Sequence, residues 1–117
     1  MTYVSGLIRA SLRLSFLIVV ALSASNTYAA ASGWTEHSKV TQIVVTAGGG
    51  VNVKLSPELS GCVSQSGYGE KYASVYSTHP GLQAIHANLL AAYMAGKDVR
   101  LWFSDDTCKV GEMRIGE

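Results

Sequence analysis

The sequence predicts a mainly β domain with a single helix, of α+β class. Three observations predict it. Short runs rich in β-branched residues alternate with glycine-containing and polar turns, one segment carries apolar residues at spacings of three and four, and two cysteines stand far apart in a chain of ordinary composition.

The first strand is expected at Val40 to Ala47, Val-Thr-Gln-Ile-Val-Val-Thr-Ala, which suits a pleated, half-buried surface. Ser32 to Lys39 before it is polar, a lead-in with Trp34 as its large anchor. Gly48-Gly49-Gly50 is a turn, and Val51-Asn-Val-Lys-Leu55 then alternates apolar and polar with period two, completing a hairpin. A third extended stretch is expected from Cys62, interrupted at Gly67-Tyr68-Gly69 and resuming over Tyr72 to Ser77.

The helix follows. Thr78 is placed to cap it and Pro80 falls near its first turn, where a missing N–H costs nothing. Leu82, Ile85, Leu89 and Tyr93 form the apolar stripe, widened by Leu90, Ala92 and Met94. Gly96 stops the helix and Lys97 suits its C-terminal dipole. Val99-Arg-Leu-Trp-Phe103 is a fourth strand, Asp105-Asp106 a turn, and Glu112 to Ile115 a short last strand.

Five short strands with a helix between the third and fourth match the connectivity of an OB-like (oligonucleotide/oligosaccharide-binding) barrel. A helix packed on an ordinary five-stranded antiparallel sheet has the same element order, and periodicity alone does not separate the two.

Residues 1–31 read as a secretory signal peptide. Arg9 and Arg13 give a positive start, Leu14 to Leu22 is an uncharged apolar run, and Tyr28-Ala29-Ala30-Ala31 offers small residues for cleavage after Ala29 or Ala31. The run is about half of the roughly 20 residues that span a bilayer, so a cleaved leader fits better than an anchor. Residues 32–117 are then a single exported domain, periplasmic or extracellular, with no membrane span.

Of nine Lys and Arg, Arg9 and Arg13 lie in the leader, whereas all eight Asp and Glu follow it. The exported part is therefore close to neutral, which argues against a nucleic-acid partner and against a polybasic membrane surface. About 86 to 88 residues can bury one modest core. Cys62 and Cys108 are the only cysteines, and in an oxidising destination a disulfide between them is the natural pairing. It closes a loop of about 47 residues, worth about 4 kcal/mol in the chain-entropy model.

The Gly61-Cys62 step, the Tyr-rich strand after it, His79-Pro80, and the run Leu89-Leu-Ala-Ala-Tyr-Met-Ala-Gly-Lys-Asp-Val-Arg-Leu101 resemble a family of small exported bacterial proteins of unknown function. In that family the helix, a Gly-Lys-x-Val strand and a second cysteine recur in the same order. The element order also resembles the B subunits of AB-type bacterial toxins, including the subtilase cytotoxin B subunit. Those are disulfide-containing barrels that form pentamers and bind glycans. The resemblance implies a glycan or protein partner and a homo-oligomer, a pentamer by analogy. Here the second cysteine follows Asp105-Asp106-Thr107 rather than a glycine-led loop, and no glycan-contacting residue is carried over by position.

No catalytic constellation stands out. His37, His79 and His86 have no metal-ligand spacing, no Gly-x-Ser-x-Gly elbow occurs, and Gly48-Gly49-Gly50 is not followed by a phosphate-cradling helix. Asp105, Asp106 and Glu112 lack the spacing of a calcium loop and read as a solvated turn. No metal or cofactor is expected. Trp34, Tyr68, Tyr72, Tyr76, Trp102 and Phe103 are many aromatics for so short a domain. They suit sugar rings, but core or interface packing is the simpler duty. Tyr72 and Tyr76 share one strand face, and Trp102 and Phe103 face opposite ways. The expected function is a non-catalytic binding or assembly module. The alternative is a monomeric periplasmic inhibitor or accessory protein of an envelope enzyme.

Overall fold

A computed structural model describes residues 31–117. The signal peptide expected over residues 1–31 lies, apart from Ala31, outside the described residues. The elements are β1 (Gly33–Trp34), β2 (Ser38–Val45), β3 (Val51–Ser56), β4 (Tyr72–Val75), α1 (Leu82–Ala95), β5 (Asp98–Phe103) and β6 (Val110–Ile115). All strand pairs are antiparallel, in the order β1-β5-β2-β3-β4 with β6 on the other side of β5. The domain is mainly β with one helix.

β1 and β2 flank the same edge of β5 in succession. Trp34 pairs with Trp102, and Ser38 and Lys39 pair with Val99 and Asp98. Between them, Thr35 keeps the register: its N–H donates to Leu101 O at 2.8 Å and its Oγ1 accepts from Leu101 N–H at 3.0 Å. The lead-in around Trp34 is thus part of the sheet. Beyond Lys39, β2 pairs with β3 alone, through a bulge between Val40 and Gln42.

The β2–β3 turn is closed by Thr46, whose N–H donates to Gly50 O at 2.8 Å and whose Oγ1 accepts from Gly50 N–H at 3.1 Å. The stretch from Cys62 is not a strand. A 3-10 turn at Gln65–Gly67 carries it over the outer side of β3 and β4. There Asn52 and Ser74 are fully buried in a polar network: Asn52 Nδ2 donates to Gln65 O, Ser74 Oγ to Asn52 Oδ1, and Gln65 Nε2 to Val75 O. Ser66 and Gly67 take positive φ, which no strand allows.

The core is formed by Val40, Val51, Val53, Leu55, Ala73, Val75, Val99, Leu101, Phe103 and Val110 from the sheet, covered by Ile85, Leu89 and Ala92 of α1. Two helix expectations need correction. Thr78 does not cap α1; Gly81 occupies the N-cap, and its N–H donates to His79 Nδ1 at 2.8 Å. Tyr93, Leu90 and Met94 are exposed, because the helix lies over the core on one narrow face and its flanks turn outward. Gly96 ends α1 as expected, in the left-handed region at φ 65°.

Cys62 and Cys108 form a disulfide, with Cα atoms 5.2 Å apart. It ties the loop before β4 to the turn before β6. At the same place Ser74 N–H donates to Cys108 O at 3.1 Å, and Ser74 and Lys109 make an isolated parallel bridge. β4 and β6 do not otherwise pair, so the sheet is open along this line.

Candidate functional site

The site begins with the alternation of β5. Val99, Leu101 and Phe103 face the core, while Asp98, Arg100 and Trp102 are half-buried on the other face. The expectation that Trp102 and Phe103 point opposite ways holds in the structure. Trp102 lies opposite Trp34 of β1 and Glu112 of β6, and Arg100 lies opposite Arg114 of β6. Two tryptophans and two arginines therefore share one patch of sheet.

Trp34 is the centre of the patch. The Arg114 guanidinium lies 4.5 Å from its ring centroid and that of Arg100 5.9 Å. Contacts of this kind are worth about 0.5–1 kcal/mol when exposed. Arg100 is held from behind: its Nε donates to Thr35 O at 2.8 Å. Both arginines, with His37, Ile115, Gly116 and Glu117, line an open cleft of about 400 Å³. Trp102 lies over Gly111, where a Cβ would come within 2.8 Å of its Cε3. The bulge between Trp102 and Phe103 places that glycine beneath the indole.

A second concavity, about 250 Å³ and largely apolar, is lined by Trp34 together with Pro57, Leu59 and Phe103. A third, shallower groove runs between β2 and α1, where Thr41, Ile43 and Val45 face His86, Leu90 and Tyr93.

The remaining residues singled out in the sequence are dispersed. His37 lies in the arginine-lined cleft, His86 in the helix groove, and His79 is turned inward: its Nδ1 accepts from Gly81, so its Nε2–H donates to Gly111 O at 2.8 Å. Asp105 is occupied by Thr107, whose N–H and Oγ1 both donate to its Oδ1. These bonds, that of the Thr107 side chain first, hold its carboxyl below the ordinary value. Among the described residues no three His, Cys, Asp or Glu side chains converge in a metal-binding group. Tyr68 and Tyr72 meet at 5.7 Å between centroids, and Lys54 and Lys109 lie over Tyr72 and Tyr76. These tyrosines form a separate, ordinary surface.

Arg100 and Arg114 were missed by sequence reasoning as a pair. Only the cross-strand register joins them. No family model matches the chain, and no curated protein or solved structure resembles it. Among the described residues no helix is long and apolar enough to cross a membrane.

Proposed function

We propose that the protein is a non-catalytic, exported binding module that takes a glycan or protein ligand on the face carrying Trp34, Arg100, Trp102 and Arg114. One observation carries this reading: two tryptophans and two arginines meet beside an open cleft, an assembly that the core does not need. Indole faces suit the apolar CH faces of sugars, and guanidinium forks suit their polar or charged edges.

In this reading the fold is an OB-like barrel. The parallel bridge between Ser74 and Lys109 supports it, since it joins the two strands that such a barrel must bring together. The resemblance in element order to toxin B subunits supports a ring-forming homo-oligomer. The disulfide fits an oxidising compartment, periplasmic or extracellular.

Two measurements test the proposal. A glycan array probed with the exported protein should return ligands whose binding is lost in W34A and W102A; a silent array overturns the sugar ligand. Mass in solution should give a closed ring. A monomer at micromolar concentration overturns the assembly and leaves the alternative, an accessory or inhibitory protein of an envelope enzyme.

A further inference from the structure

We infer that Arg100 and Arg114 form an anion clamp for the phosphate ester of a phosphorylated saccharide; this deepens the binding reading above and rests on it. The register carries the inference. Arg100 and Arg114 are directly opposed on neighbouring antiparallel strands. At such positions opposite charges stabilise a sheet and like charges destabilise it. Among the described residues no carboxylate forms an ion pair with either guanidinium: the ion pairs are Lys39–Asp98, Lys54–Glu58 and Lys71–Glu58. Trp34 accommodates both guanidiniums but neutralises neither. Arg100 spends its Nε on Thr35 O and keeps its remaining donors. Breaking a local rule at the wall of a preformed cleft is a mark of function rather than of folding.

The donor set selects the ligand. A planar carboxylate is satisfied by a single guanidinium fork, whereas a phosphate monoester offers three strong acceptor oxygens and a charge of about −1.5 to −2 near neutral pH. It matches two guanidiniums lining one cleft. The saccharide part follows from Trp102, the cross-strand neighbour of Trp34, which offers an apolar plate beside the clamp. Glu117 in the cleft and Glu112 opposite Trp102 lie on the same patch and oppose a long polyanion. They favour one isolated charged group over a run of them.

The test uses the exported, disulfide-bonded protein, followed by nitrogen–proton NMR of the arginine Nε–H and tryptophan indole signals. Mannose 6-phosphate should shift the Arg100, Arg114 and Trp34 signals. Mannose should leave them in place, and inorganic phosphate should bind about tenfold more weakly or worse. R114Q should lose about tenfold or more of the affinity while remaining cooperatively folded, and R114K should fall between, keeping the charge without the fork.

Silence with both phosphate probes, or unaltered affinity in R114Q, overturns the clamp. Inorganic phosphate binding as tightly as mannose 6-phosphate overturns the saccharide. A neutral glycan that binds the Trp34–Trp102 face as well as its phosphorylated form overturns the clamp and leaves the binding module standing. If the array and every probe are silent, the sugar ligand of the proposed function falls with the clamp.

Discussion

The side-chain amide of Gln65 fills the space where a Cβ on Gly50 would stand, its Oε1, Nε2 and Cδ all inside van der Waals distance of that position. A flexible side chain can usually retreat, but this one is held. Its Nε2 donates to Val75 O at 3.0 Å and to Asn52 Oδ1 at 3.3 Å, beside the fully buried Asn52 and Ser74. G50A should therefore cost about 1–3 kcal/mol, the cost of leaving buried polar groups unpaired. Urea unfolding of G50A and of the double variant G50A/Q65A checks this. The double variant should lose little beyond Q65A alone, since the clash and the network share one side chain.

The disulfide should supply a large part of the stability of so small a domain. Its partners are 46 residues apart, and both sulfur-bearing side chains are buried. Reduction, or the pair C62A/C108A, should lower the unfolding free energy by about 4 kcal/mol. Thiol labelling of the unfolded, unreduced protein should find no free cysteine.

Trp34 and Arg114 should be energetically coupled. At 4.5 Å between guanidinium and ring centroid, a double-mutant cycle of W34A and R114A should return about 0.5–1 kcal/mol. A coupling near zero would mean that Trp34 serves the patch only as a spacer.

Acid should weaken the fold through two carboxylates. The hydrogen bond and charge of Lys39, with a smaller contribution from His37, hold the Asp98 carboxyl below its ordinary value despite some desolvation. Thr107 does the same for Asp105. A carboxyl whose folded pKa is lowered binds fewer protons in the native than in the unfolded state. Its contribution is complete above the ordinary carboxylate range and is lost as the pH falls through the lowered value. K39M and T107A should each flatten the decline in urea midpoint between about pH 6 and pH 2. Both groups are only half-buried and remain in reach of solvent, so each effect is small.

Much of the fold was legible from residue type. β-branched alternation located β2 and β3, Gly96 ended the helix, and two cysteines after an expected export signal indicated their pairing. What stayed hidden depends on contacts between distant segments. Gln65 is an unremarkable polar residue until Asn52 and Ser74 lie beneath it. The helix flank at Leu90, Tyr93 and Met94 looks apolar enough to be core, yet the sheet beneath is only wide enough to cover Ile85, Leu89 and Ala92. The opposition of Arg100 and Arg114 escapes period-two counting, because the bulge at Gly111 shifts the register between Phe103 and Trp102.

The single bridge between Ser74 and Lys109, with Cys62 and Cys108 beside it, bears on how the protein keeps apart from its neighbours. A sheet with two free margins invites strands from other molecules to add to them. Here a covalent stitch holds the β4 margin against the start of β6, where a ladder of hydrogen bonds would otherwise be needed. The disulfide thus acts as a hem as well as a source of stability, keeping two strand margins of the sheet side by side.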